Sequence, residues 1–369
     1  AVVNKLLADM RKVMKGAGMM AKIADEIEPK VDDNSPCSSY LDETSKALRA
    51  NVYYKISEKG LCKLGNDYAI GLRWLRHLGY VQVSTNPVLA AKAYDDDPSL
   101  WKDFEAKVKR HPEWLKDPER FGDDIAMEAT MTALWPNLVV FRPLALASKL
   151  HDGVVSYQLN PNVAHSYEGS VADAMRIYLA ATEFLWSYDG ILAWGYSNMV
   201  ERSRPNIVFK VAGGYPAALE ITEKLDSLGI GTNNTVTYTV SQETALIIRA
   251  ISGMAKAVKM GIPITQAYET NMGGRLESHL RDVEAERILR EAISKVDDPG
   301  KLLEELAEGL GIEGYSSMTS EEKISAICSY KYLKSLRNPA FVEAISKSCL
   351  LYTSDAADEG LGVDFGGRR

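Results

Sequence analysis

The chain has 369 residues, 46% of them hydrophobic, with a formal net charge of −7 and a pI near 5.5. That length holds one α/β barrel with additions or two smaller domains, and an acidic balance without a basic patch argues against a nucleic-acid partner. The apolar runs fall far short of a membrane span and no signal peptide is visible, while four cysteines without CxxC spacing and five scattered histidines fit a reduced, cytoplasmic protein with no metal site.

Residues 1–58 read as a helical extension with a polar break at Asp32 to Pro36. The Met-rich stretch from Met10 to Met20 reads as packing or partner-helix surface. Gly16-Ala17-Gly18 follows no strand and reads as a turn, not a dinucleotide loop. From residue 59 strands and helices alternate. Gly60 to Leu64 is a weak strand, after which Asp67 caps a helix from Tyr68 to Leu78. Tyr80 to Thr85 is a strand that ends at Asn86-Pro87. Residues 88–150 are a helical insertion, and Gly153 to Leu159 is the third strand. A helix from about Val171 through Ser187 follows, then the apolar strand Asn206 to Ala212. Next is a helix, Ala217 to Leu228, with Ala218, Ile221 and Leu225 on one face. A fifth strand is expected from Asn234 to Val240. The helix after it, Gln242 to Met260, carries an apolar stripe of Ile247, Ile251, Met254, Ala255 and Val258. Pro263 to Tyr268 is a sixth strand, and residues 276–347 read as almost entirely helical.

This alternation predicts a parallel sheet, and a (β/α)8 barrel needs eight strands. The expectation is therefore an α/β fold, a TIM-type (β/α)8 barrel over 59–348 truncated after its sixth strand. Residues 349–369 are a suspected non-native tail, since Cys349 to Glu359 looks like one reading frame of a sequencing adapter.

Lys210 stands in the middle of the apolar strand Ile207-Val-Phe-Lys-Val-Ala212. A strand apolar at nearly every position is buried on both faces. Desolvation favours the neutral amine, the nucleophile that forms a Schiff base. The alternative is a lysine that snorkels to water or pairs with an acid. Reading each strand with period two gathers further polar residues. Asn86 shares a face with Ser84, Gln158 with Ser156, and Lys210 with Ala212. Asn233, Thr235, Thr237 and Thr239 share another.

The segments Val83-Ser-Thr-Asn-Pro87, Val155-Ser-Tyr-Gln-Leu-Asn-Pro161, Asn206-Ile-Val-Phe-Lys-Val-Ala212 and Gly229-Ile-Gly-Thr-Asn-Asn-Thr235 resemble transaldolase signatures, as do Tyr238-Thr-Val-Ser-Gln242 and Gly274-Arg-Leu276. They keep the family's order over roughly residues 60–280. The resemblance implies class I aldol chemistry on sugar phosphates in the pentose phosphate pathway, with no metal or organic cofactor, and a homodimer is compatible with it. By match to the family pattern, Lys210 would be the Schiff-base lysine and Thr235 would position a water. Asn86 and Asn233 would hold sugar hydroxyls, and Arg275 the phosphate. Gln158 stands where transaldolases usually carry glutamate and the related fructose 6-phosphate aldolases carry glutamine. Asp67 serves either as the acid/base group or as a helix cap. Three readings stay open: a transferase, an aldolase of the same fold, and a non-catalytic sugar-phosphate-binding barrel.

Overall fold

A computed structural model describes residues 1–13, 18–192 and 204–328, in two compact units, Ala1–Thr270 and from Asn271 onward. Residues 16 and 17 of the expected turn, residues 329–347 and the suspected tail lie outside the described residues.

One sheet organises the first unit. Its strands are β1 (Leu64–Asn66), β2 (Tyr80–Ser84), β3 (Val154–Gln158), β4 (Ile207–Ala212), β5 (Gly231–Thr237) and β6 (Tyr268–Asn271), and they lie side by side in chain order. The ladders from β1–β2 to β4–β5 are all parallel. Parallel strands in chain order need a crossover between each pair. Those crossovers are α5 (Leu72–Leu75), α10 (Tyr167–Leu192), α11 (Ala217–Ser227), α12 (Val240–Lys259) and, between β2 and β3, the four helices α6 (Pro87–Asp96), α7 (Ser99–Val108), α8 (Pro112–Lys116) and α9 (Gly122–Ala147). Among the described residues the architecture is six strands of a TIM-type α/β barrel with their surrounding helices.

The apolar character of β3 and β4 is explained by burial on both faces. Val155, Tyr157, Phe209 and Val211 pack against Leu134, Phe141, Ile177 and Ile221 of the crossover helices. The N-terminal helices α1 (Val2–Lys12), α2 (Met19–Ile27), α3 (Pro36–Ala50) and α4 (Val52–Glu58) add a second core. In it Leu7, Met10, Met20 and Ile27 pack with Leu75 and Leu78 of the β1–β2 connection. Met10 and Met20 are fully buried, so these methionines serve packing. In the second unit α13 (Gly273–Ile293), α14 (Pro299–Gly309) and α15 (Ser320–Cys328) share a small core of their own. Among the described residues no helix is long and apolar enough to cross a membrane.

Several boundaries and one face differ from the sequence expectation. β1 starts at Leu64, because Gly60 turns the chain at φ +66 and the next three residues are exposed. α5 starts at Leu72 with Gly71 as its N-cap and no side-chain cap bond, so Asp67 is not a helix cap. β5 runs three residues earlier than expected. Thr239 has left the strand to cap α12, its hydroxyl accepting from Gln242 N at 3.2 Å. β6 begins only at Tyr268; in the segment before it Thr265 Oγ1 donates to the Gly229 carbonyl at 2.7 Å. On α12 the expected stripe points outward: Ile247, Ile251 and Val258 are 43%, 60% and 61% exposed, and Leu246, Ala250, Gly253 and Ala257 are buried instead. Close approach explains the inversion. A Cβ on Gly253 would stand 2.5 Å from the Glu223 carbonyl of α11, so small residues face α11 and the bulky aliphatics are displaced to the surface.

Candidate active site

The β3–β4–β5 register aligns Gln158 with Lys210 and Lys210 with Asn233. Residues level with one another in parallel strands point to the same face. The three polar side chains therefore stand in one row across three strands. One level further, Ala212 is aligned with Thr235, which is 3% exposed; the small alanine leaves space beside the amine.

Two strands away, Ser84 Oγ accepts from Lys210 Nζ at 3.4 Å. Ser84 is aligned with Ser156, whose hydroxyl accepts from Asn233 Nδ2 at 3.0 Å. Asn233 Oδ1 accepts from Thr270 Oγ1 at 2.6 Å. Both ends of the Asn233 carboxamide are thus held by hydroxyls, which can each donate or accept. β2 and β4 thus share one hydrogen bond, and β3, β5 and β6 a second set beside it.

Asn86 follows β2 and caps α6, its Oδ1 accepting from Leu89 N at 2.9 Å. Its oxygen is committed to the helix, so a ligand would meet Asn86 through the amide nitrogen. Asp67 is half-buried one residue beyond β1. The β1–β2 ladder ends with Asn66 aligned with Val83, immediately before Asp67. Gln158 is half-buried at the last position of β3. Arg275 belongs to the second unit, and its side chain lies outside the described residues.

The strand ends are held from α12. Gln242 Nε2 donates to the Gly213 carbonyl at 2.7 Å and to the Val236 carbonyl at 3.2 Å, and its Oε1 accepts from Tyr238 N at 2.9 Å. Val236 sits at φ +61, a conformation that a β-branched residue adopts only when its surroundings impose it. The strain lies next to Thr235.

Behind β5 is a second polar layer that alternation reading missed. Asn234 Oδ1 accepts from Thr222 Oγ1 at 2.8 Å, and its Nδ2 donates to Glu269 Oε1 at 2.6 Å. Thr232 Oγ1 donates to Asp226 Oδ2 at 2.9 Å. Burial pushes the Asp226 carboxyl up to about 8 against the opposing pull of Thr232, and the nearby Glu269 pushes it the same way. Burial also raises Glu269. Thr270 was missed as well, because the sixth strand was expected to end two residues before it. Ser84 and Ser156 were legible as face-mates of Asn86 and Gln158.

A primary amine among amides and hydroxyls can attack a carbonyl while its neighbours hold a polyhydroxylated chain. The family model for transaldolase/fructose-6-phosphate aldolase matches residues 67–259, just over half of the chain. A transaldolase of Thiobacillus denitrificans is 28% identical over 196 residues, covering 51% of this chain and 44% of that protein. A transaldolase of Saccharopolyspora erythraea is 23% identical over 259 residues, covering 69% of this chain and 57% of its own length. The chain thus spans about half the length of the curated relatives it matches.

Proposed function

Because the chain belongs to the transaldolase/fructose-6-phosphate aldolase family, we propose that it transfers a dihydroxyacetone unit between sugar phosphates through a Schiff base on Lys210, as a step of the pentose phosphate pathway. The observation that carries this reading is the row of Gln158, Lys210 and Asn233 across β3, β4 and β5. In it the lysine amine stands among hydrogen-bonding groups suited to a sugar chain.

In the proposed reaction, the Lys210 amine attacks the ketose C2 carbonyl and expels water to give an iminium. The C4 hydroxyl then loses its proton to a base and the C3–C4 bond breaks. The aldose phosphate departs, and the electron pair is held as an enamine on the lysine. Attack of the enamine on an acceptor aldehyde and hydrolysis complete the transfer. Asp67 is assigned as the acid/base group, supported by its place immediately after β1. Gln158 and Thr235 orient the water, Asn86 and Asn233 hold hydroxyls, and Arg275 takes the phosphate, for which a forked guanidinium is suited.

Gln158 favours a second reading, an aldolase that releases the three-carbon unit to water. A carboxamide cannot exchange a proton as a carboxylate does, which weakens proton relay through this position. Turnover of fructose 6-phosphate with and without an aldehyde acceptor separates the two. The Schiff base itself is tested by borohydride reduction in the presence of fructose 6-phosphate, followed by peptide mass mapping. A three-carbon adduct is expected on the Lys210 peptide and absent in Lys210→Arg. A folded sample without the adduct would leave only a sugar-phosphate-binding barrel.

A further inference from the structure

Thr239-Val240-Ser241-Gln242 has the form of a helix capping box, in which the side chain three residues past the cap returns to the cap's own amide. Half of that motif is present, since Thr239 Oγ1 accepts from Gln242 N at 3.2 Å. The other half is altered. Gln242 Oε1 accepts from Tyr238 N, one residue before the cap, at 2.9 Å. A glutamate would serve that acceptor role equally well, with its charge favoured at the positive end of α12. What a carboxylate cannot do is donate. Gln242 Nε2 donates twice, to the Gly213 carbonyl at 2.7 Å and the Val236 carbonyl at 3.2 Å.

Those two carbonyls bracket Thr235. The Gly213 amide donates to the Thr235 carbonyl at 2.7 Å, so Gly213 is bonded to Thr235 through its nitrogen and to Gln242 through its oxygen. The approach is close, and a Cβ on Gly213 would stand 3.1 Å from the Thr235 carbonyl. On the other side, Val236 follows Thr235 in the chain at φ +61. A β-branched residue holds that conformation only where its neighbours impose it. The Gln242 carboxamide binds the Val236 carbonyl and, two residues on, the Tyr238 amide. A ring of bonds thus runs from Thr235 through Gly213 and Gln242 to Val236 and back along the chain. It joins the end of the lysine strand to Thr235.

We propose that Gln242 is a positioning residue for the hydrolysis of the Lys210 iminium, acting through Thr235. This rests on the Schiff-base reading above and on the assignment of Thr235 to the water. In that step water adds to C2 and the C–N bond breaks. The water's oxygen leaves in the ketone, and both its protons end on the amine, which is released as ammonium. By fixing the backbone on both sides of Thr235, Gln242 keeps the hydroxyl one level beyond the lysine row, where the attacking water is held.

Release of the adduct tests this on the full chain. The adduct is formed with fructose 6-phosphate, excess sugar is removed by rapid desalting, and borohydride is added at intervals. The decay of trapped three-carbon adduct then reports hydrolysis. This first-order rate does not depend on how many molecules are folded, so a variant that is only less stable would not slow it. In Gln242→Glu the melting temperature should stay near the parent's, because the cap is kept, while decay slows about tenfold. Thr235→Val should slow decay at least as much. The double variant should be no slower than Thr235→Val alone, since groups that act as one unit do not add. Decay at the parent's rate in Gln242→Glu overturns the inference and leaves the Schiff base standing, whatever happens to the melting temperature. Losses that multiply in the double variant overturn it too, since Gln242 would then act elsewhere. Absence of any adduct in the parent overturns the Schiff-base reading and this inference with it.

Discussion

Asn86 has two duties that substitution can separate. Its oxygen caps α6 through Leu89 N, and its nitrogen is the end assigned to the sugar. Asn86→Asp keeps a capping oxygen and removes the donor, so stability should hold while KM for fructose 6-phosphate rises at least tenfold. Asn86→Ala removes both, adding a loss of about 1 kcal/mol for the missing cap. Urea unfolding and steady-state kinetics on both variants check the split. Asp226 offers a different test, in pH. Its carboxyl ionises near 3.8 in an unfolded chain but only at about 8 where it is buried under Thr232. For an acid whose folded pKa is raised, the stabilisation is complete below the unfolded value and drains away as pH climbs through the folded one. The urea midpoint should therefore fall steadily from pH 5 to pH 8.5, with Glu269, also raised, adding to the slope. Asp226→Asn keeps the acceptor for Thr232 and removes the charge. It should flatten that slope and be more stable than the parent at pH 8.5.

At the scale of elements, α12 decides what patterning can reveal. Substitution on the outward stripe should be nearly silent, with Ile251→Glu within about 0.5 kcal/mol of the parent. Leu246→Ala on the buried face should cost about 2–5 kcal/mol. Thermal melts of the two variants check the assignment. The stripe was misread because hydrophobicity marks which residues are greasy, and the α11 contact selects for smallness. Ala250, Gly253 and Ala257 are buried because they are small, and the isoleucines lie outside because nothing larger fits between the helices. β5 resisted reading for a related reason. Its front face carries Asn233 and Thr235 and its back face Thr232 and Asn234, all buried. Period-two alternation cannot place strand ends when both faces are polar, and the partners that satisfy the back face, Asp226 and Glu269, come from other elements. β4 was legible because it is apolar at every position but one. Its lysine and the register residues beside it were found by that exception. The asparagines and serines followed because short polar side chains that share a face with such a residue are visible in an alternation count. Thr270 lay beyond the expected end of the sixth strand, which runs from Tyr268 to Asn271.

At the scale of the molecule, the inserted helix α9 is tied to the barrel by a buried ion pair remote from the strand ends that carry the lysine row. Arg142 and Asp189 are both fully buried and bonded at 2.5 and 2.7 Å. The same guanidinium donates to the Arg204 carbonyl at 2.7 Å and to Asn206 Oδ1 at 3.4 Å. Asn206 in turn donates to the carbonyls of Leu138 and Gly153. One cluster thus fastens α9 to α10 and to the entry ends of β3 and β4, the end of a barrel where buried contacts serve stability rather than chemistry. Removing one member leaves a charge in an interior that cannot solvate it, so Asp189→Leu should cost about 3–5 kcal/mol. Replacing both, with Arg142→Met beside Asp189→Leu, removes the stranded charge. It should recover at least about 2 kcal/mol of that loss, although the Arg204 carbonyl loses its donor. Because the lysine row is held separately by Ser84, Ser156 and Gln242, the double variant should still form the Lys210 adduct at the parent's yield. Recovery of stability in a double-mutant cycle, measured beside borohydride trapping, would show that this cluster carries the fold and leaves the chemistry to the opposite ends of the strands.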